Sequence, residues 1–322
     1  MIYIIATIVL LIAAQLYYKL AAKFNIIDKP NERSSHTTPT IRGGGIIFLF
    51  SVLLFFIISD YQFPYLILGI ISIATISFID DLITLGFKIR LCIQFISAFL
   101  ILYQIQELIP EPYFFGIILL IACVGVINIY NFMDGINGIT GLVSLASLVG
   151  FLSINNLYPI IKTEFIVFPI ISIIIFGFYN FRKKALFFAG DVGSISMAII
   201  VVFLTLYFSF TLESPIILLL ISVYLTDGII TIINRLLKKE NIFKPHKTHL
   251  YQLLTQKTKL THLQVSLVYS LLQLILIAPI IFLLKESITS QLLGLLIIGT
   301  TLMLIRMYVS KKITSKNIIY NV

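Results

Sequence analysis

Charge is scarce in this chain: of 322 residues, 11% are Asp, Glu, Lys or Arg. A soluble domain of this length needs about a quarter of its residues charged to cover its surface, so the soluble-enzyme class is excluded. Cysteine is scarcer still. Cys92 and Cys123 both lie inside apolar runs, which excludes a disulfide framework and a cysteine-rich metal site. The stretch Met1 to Leu20 lacks a small-residue cleavage site and stays apolar too long for a removed signal peptide, so it reads as a retained span. Tandem repeats and low-complexity linkers are absent too, and residues 1–322 read as one transmembrane domain.

What is there instead is hydrophobic: 59% of the residues, with a mean hydropathy of +1.06. A spanning helix needs about 20 mostly apolar residues. Segments of that kind fall near 1–22, 43–59, 64–79, 90–107, 112–130, 139–157, 164–181, 191–211, 214–235, 264–284 and 289–309. The expectation is an all-α polytopic helix bundle of about eleven spans, or ten if the pair around Pro110 and Pro112 is one.

The net charge of +9 is explained by where the basic residues lie. Alternate loops carry Lys23, Lys29, Arg33 and Arg42, then Lys88 and Arg90, then Arg182, Lys183 and Lys184, then the run from Arg235 to Lys259. Lys311, Lys312 and Lys316 close the series, whereas the other loops hold Lys162 and Lys285 among acidic residues. The positive-inside rule then predicts an outside N-terminus and a cytoplasmic C-terminus. No nucleic-acid partner is needed to account for the charge.

Water-soluble chemistry belongs in the loops of the basic side, near 23–42, 80–90, 128–140, 182–191 and 235–262. Asp80 and Asp81 stand together in SFIDDLITLGFKIR, and adjacent carboxylates at a membrane surface repel unless a cation or a shared proton offsets them. Mg2+ binding fits, as does a base beside a positioning group; two solvated loop aspartates are the alternative. In NIYNFMDGINGITG, residues Asn128, Asn131 and Asp134 recur every three positions and share a helix face, ahead of Asn137 and two glycines. That face suits hydrated Mg2+ or a nucleotide, against plain helix termination by Asp-Gly and Asn-Gly turns. Asp191 in AGDVGS is either a helix cap or a ligand group.

Two further loops carry basic and imidazole groups. FKPHKTHLYQLL offers Lys247 and His249, with His246, Tyr251 and Gln252 nearby, either to grip a phosphate or sugar or as a solvated basic loop. The two histidines lack a third zinc ligand there. IDKPNERSSHTTPTIRGGG holds Asp28, Arg33, Ser35, His36, Arg42 and the glycines Gly43 to Gly45, without the Lys-Ser/Thr of a P-loop. Asp227, inside the ninth span, strengthens the case for a functional set of carboxylates, since such groups are costly in a membrane; the alternative is a carboxylate paired with a basic group such as Arg235 or Lys238.

Taken in order, these motifs resemble the polyprenyl-phosphate N-acetylhexosamine-1-phosphate transferases, glycosyl transferase family 4. That superfamily contains the phospho-MurNAc-pentapeptide translocase and the bacterial GlcNAc-1-phosphate transferases. The resemblance runs from Asp28 to Gln252 and rests on five motifs in the family's order. It implies a Mg2+-dependent transfer, with Mn2+ as the alternative metal, of an N-acetylhexosamine 1-phosphate from a UDP-sugar to undecaprenyl phosphate, releasing UMP. It also implies the bacterial inner membrane, a cytoplasmic active site and a homodimer as a compatible assembly.

By the same resemblance, Asp80 and Asp81 lie beside the lipid phosphate, Asn131 and Asp191 hold the metal, and Asn128, Asp134 and Asn137 line the nucleotide pocket. Arg90 meets phosphate, and His249 matches the first histidine of Pro-Asp-Arg-x-His-Leu-His-His. Tyr251 and Gln252 depart from that motif's histidine pair, and His246 from its aspartate. The loop is associated with sugar recognition, so this version resembles the branch that begins O-antigen or capsule units, including users of 6-deoxy N-acetyl sugars. The rival classes are a transporter or flippase for a phosphorylated or lipid-linked substrate, and a non-catalytic scaffold.

Overall fold

The computed structural model describes residues 1–319 except 29, 31–37, 84, 110–112 and 242–245. Lys29, Arg33, Ser35, His36, Pro110 and Pro112, named above, lie outside the described residues. The chain begins with α1 (Ile2–Lys23), which ends where Asn25 takes a left-handed backbone, a conformation Asn tolerates better than most residues. A short antiparallel pair, β1 (Ile27–Asp28) with β2 (Thr40–Ile41), then closes the first loop on itself. Gly43, at φ +80°, turns the chain into α2 (Ile46–Ile58).

The remaining helices follow the apolar runs. They are α3 (Pro64–Ile83), α4 (Phe87–Gln104), α5 (Tyr113–Met133), α6 (Ile139–Leu157), α7 (Glu164–Asn180) and α8 (Gly190–Thr211). A 3-10 stretch, Pro215–Ile221, leads into α9 (Ser222–Leu237). The short α10 (Leu250–Lys257) precedes α11 (His262–Ile275), α12 (Ile277–Leu283) and α13 (Ile288–Ile319).

This is the expected all-α polytopic bundle. Among the described residues nine helical stretches are long and apolar enough to cross a membrane, two of them composite: 3-10 plus α9, and α11 plus α12. The other two expected spans appear as shorter apolar helices, α2 and α7. At 1.5 Å per residue the 13 residues of α2 reach about 20 Å, short of the roughly 30 Å hydrocarbon core, so α2 is complemented by the glycine turn before it.

Helix α8 is apolar on every side and enclosed by protein along nearly its whole length, the mark of a central helix. Around it pack α2, α3, α5 and α6, whereas α13 is exposed along most of its length and presents Leu292, Leu293, Leu296 and Ile297 to the surroundings. Close approach at the core relies on small residues. The start of α2 meets the start of α8 where Gly45 and Gly193 touch backbone to backbone; a Cβ on Gly193 would lie 2.6 Å from the Gly45 Cα. That contact delivers the first-loop residue Arg42 to the first turn of α8. One polar pair within the bundle joins Gln94 of α4 and Asn128 of α5, which exchange amide hydrogen bonds at 2.7 and 3.3 Å.

Candidate functional site

Asp80 and Asp81 end α3, and because they are neighbours on a helix their side chains diverge. Asp80 accepts a 2.8 Å hydrogen bond from the Arg90 guanidinium of α4 and another from the Leu85 amide, and its carboxyl group also meets that of Asp191 on α8. Asp81 turns to α8. Its fully enclosed carboxylate accepts the backbone N–H of Asp191 at 3.0 Å and of Val192 at 3.2 Å. Those amides have no partner inside the helix they begin, and the positive end of the helix dipole favours the carboxylate there. The capping role that Asp191 might have filled thus falls to Asp81, and Asp191 points its own carboxylate elsewhere.

Arg42 joins the two. Its Nε lies 2.6 Å from Asp81 and its Nη2 donates to Asp191 at 3.2 Å, while Arg90 stands 3.7 Å from the other oxygen of Asp191. Three carboxylates therefore share two guanidiniums in a mostly buried corner. Burial alone would lower the Arg42 pKa, but Asp81 and then Asp191 offset that and raise it above its ordinary value. Sequence reasoning placed Arg42 in the first loop without assigning it to the site. The signal was its position directly before three glycines, where the backbone can approach another chain segment closely.

Beside this corner opens a polar cavity of about 510 Å³. Arg42 and Asp191 form one side, and Asn131, Asp134 and Asn137 come from the end of α5 and the turn after it. Lys247 and α10 complete the lining through Gln252, Thr255 and Gln256. Asn131 and Asp134 thus share a face as their three-residue spacing predicts. The Asn131 carbonyl oxygen accepts the Ser194 hydroxyl at 2.8 Å, which ties α5 to the first turn of α8. The Asn137 amide donates to the Arg182 carbonyl at 2.9 Å and holds the turn before α6, where Gly138 has φ +87°. Burial pushes the Asp134 carboxyl up to about 6, with a hydrogen bond from Thr140 working against it.

Other expected residues stand off the cavity. Asn128 is one turn earlier on α5, with its amide committed to Gln94 and to the Val124 carbonyl. His249 is buried at 1% exposure, its Nε2 3.1 Å from that of His246, and it caps the start of α10. Asp80 and Arg90 back the wall through their contacts with each other and Asp191. Asp227 pairs with Arg306 of α13, at 3.2 Å, rather than with Arg235 or Lys238; Arg235 instead binds Glu240 at 3.0 Å. Nothing in the sequence between Asp227 and Arg306 announces that pairing.

The donor set is all oxygen and bears on what cation it suits. Among the described residues no group of three or more His, Cys, Asp or Glu side chains is arranged to hold a metal by itself. Mg2+ does not need such a cage: it is held by one or two carboxylates together with water and substrate phosphates. The Asp191 carboxylate and the Asn131 carbonyl, on one cavity, fit that pattern.

No curated protein matches the chain significantly. The family model described as glycosyl transferase family 4 matches residues 63–209. That stretch contains Asp80, Asp81, Arg90, the Asn128–Asn137 turn and Asp191, while Arg42, Lys247, His249 and α10 lie beyond it. That match spans a little under half of the chain; over it the chain is similar to glycosyl transferase family 4, which supports the superfamily that transfers hexosamine 1-phosphates to polyprenyl phosphates, and the many apolar helices suggest a multi-pass membrane protein.

Proposed function

We propose that the protein transfers an N-acetylhexosamine 1-phosphate from a UDP-sugar to undecaprenyl phosphate and releases UMP. It does so on the cytoplasmic face of a bacterial inner membrane, as the first membrane step of an O-antigen, capsule or related glycan. The observation that carries the reading is the Asp81–Arg42–Asp191 corner opening onto a polar cavity of about 510 Å³, a size that accommodates a nucleotide-sugar. The basic loops on the same side as this corner support the cytoplasmic assignment.

In the reaction an oxygen of the lipid phosphate attacks the β-phosphorus of the donor. The bond from that phosphorus to the bridging oxygen breaks, and its electron pair leaves with UMP. Two anions must meet, so cationic groups carry most of the catalysis. Asp191 and Asn131 would hold Mg2+, whose contribution is to neutralise charge on the diphosphate. Arg42 and Lys247, which line the cavity, would bind donor phosphate, and Arg90 the acceptor phosphate, with Asp80 orienting Arg90. A lipid phosphate is already ionised at neutral pH, so Asp80 acts as a positioner more than a proton acceptor.

The decisive test is mass spectrometry of the lipid formed by purified protein from undecaprenyl phosphate and a panel of UDP-sugars, 6-deoxy forms included, with Mg2+, Mn2+ or EDTA. A polyprenyl diphosphate sugar formed only with metal is expected. Radiolabelled UMP exchange into UDP-sugar separates the transferase from a transporter or a scaffold. Absence of both product and exchange across the panel overturns the proposal.

A further inference from the structure

Asp227 and Arg306 are charged residues buried within membrane-spanning helices, at 2% and 6% exposure, and neither reaches the cavity. Charges at such positions are costly to keep. A buried ion pair by itself is a poor explanation, because well-packed apolar residues usually hold two helices together equally well. The remaining contacts of the carboxylate are more informative. Asp227 Oδ1 accepts the Leu250 amide at 2.8 Å, and Oδ2 accepts the Tyr251 amide at 3.3 Å and the Tyr269 hydroxyl at 2.8 Å. Arg306 donates from Nε to Oδ1 at 3.2 Å and from Nη2 to the Thr231 hydroxyl at 2.7 Å, which fixes the carboxylate from behind.

Leu250 and Tyr251 are the first residues of α10, and their amides have no partner within the helix. An eight-residue helix is not stable alone and takes its position from its anchors. The second anchor is the Tyr251 hydroxyl, which donates to the Phe132 carbonyl at 3.1 Å, close to Asp134. Held at both points, α10 turns Gln252, Thr255 and Gln256 to the cavity, positions three and four apart on one face.

We infer that Asp227 and Arg306 are positioning residues that hold α10 as a wall of the cavity and thereby set affinity for the donor. The donor part rests on the transferase reading; the anchoring of α10 does not. Two paired substitutions in the full-length protein separate anchoring from simple bundle stability. Asp227→Leu with Arg306→Leu keeps an apolar α9–α13 contact but removes the acceptor of the Leu250 and Tyr251 amides, leaving the His249 capping box in place. Asp227→Asn with Arg306→Leu restores one neutral acceptor.

Hydrogen exchange over 250–257, thermal unfolding in detergent, and KM for UDP-sugar and for undecaprenyl phosphate are then measured. In the double-leucine variant exchange over 250–257 should rise about tenfold or more, and donor KM about tenfold, corresponding to roughly 1.4 kcal/mol. Acceptor KM and the unfolding temperature should stay near those of the parent, and the asparagine variant should recover most of both losses. Unchanged exchange over 250–257 overturns the inference. So does a parallel rise in both KM values, or a loss that asparagine fails to rescue. If the double-leucine variant does not fold, Asp227→Asn alone decides: it keeps one of the two acceptor oxygens, so exchange over 250–257 should rise severalfold but by less than tenfold, and unchanged exchange overturns the inference. If the parent itself makes no lipid product, exchange still judges the anchoring while the transferase reading falls separately.

Discussion

The carboxylate of Asp81 accepts the backbone amide of Asp191 at 3.0 Å, joining residues 110 positions apart. One aspartate caps the helix on which the other begins, so the second is free to face the cavity. The same contact makes the two acids separable by mutation.

Asp191→Ala is expected to lower transfer by about 10²–10³-fold with little change in melting temperature, because it removes a cavity group that caps nothing. Asp81→Ala should lose both, since it strands two buried amides at a cost of about 1–3 kcal/mol. Metal-dependent UMP release, alongside thermal unfolding in detergent, measures the difference. Equal destabilisation by the two substitutions would contradict the division of roles.

Arg42 spans two carboxylates with a planar fork that lysine cannot reproduce. Arg42→Lys is expected to keep the fold and lose about tenfold or more in kcat/KM. Arg42→Ala leaves Asp81 enclosed without its counter-charge and should cost about 3–5 kcal/mol of stability as well. Steady-state kinetics and unfolding curves of the two variants check this.

Burial raises the Asp134 carboxyl to about 6, so it is mostly protonated at pH 5 and ionised at pH 7. As pH rises through about 6 the cavity gains a negative charge, and affinity for an anionic nucleotide should fall. Asp134→Asn removes that inflection. Calorimetric titration of UMP between pH 5 and 8 on both proteins would show it, and an inflection that survives in the asparagine variant would count against the assignment.

His249 lies outside the spans and is kept neutral by burial, its pKa lowered to about 4 from an ordinary 6.5. Between those values the unfolded chain binds a proton that the folded chain refuses. Stability therefore falls as pH drops from about 6.5 to about 4, by about 3 kcal/mol in all. His249→Gln should flatten the acid side of the stability profile relative to the parent, as read by unfolding temperature at pH 7, 6 and 5.

Gly193→Ala places a Cβ 2.6 Å from the Gly45 Cα, backbone against backbone, where no side chain can yield. The start of α8 must shift, at about 1–3 kcal/mol, and carry Asp191 with it. Both melting temperature and transfer are expected to fall, whereas Gly86→Ala, with nothing near its Cβ, should leave both unchanged.

Much of the candidate site is legible because its members cluster at the ends of apolar runs, where a carboxylate or amide is conspicuous. Asn131, Asp134 and Asp191 were found that way, and the structure places all three on one cavity. Asn128 looked the same in sequence, since its spacing puts it on the same face. One helical turn separates the cavity from the bundle interior, and there Gln94 takes up its amide. In sequence Arg42 is one of several basic loop residues, because the contact that makes it central depends on two glycines, Gly45 and Gly193, touching across the bundle.

The amino-acid sequence by itself determined the class: apolar runs of spanning length leave the backbone no choice but helices in lipid, and scarce charge marks where the helices end. Which carboxylate caps, which faces the cavity and which anchors a helix was decided only in three dimensions. Asp80, Asp81, Asp191 and Asp227 are chemically alike, and each role was fixed by the partner that packing brought to it: Arg90, the α8 amides, Arg42 and Arg306. Hydrogen bonds and ion pairs act over about 3 Å, while these partners lie as far as 149 residues apart along the chain.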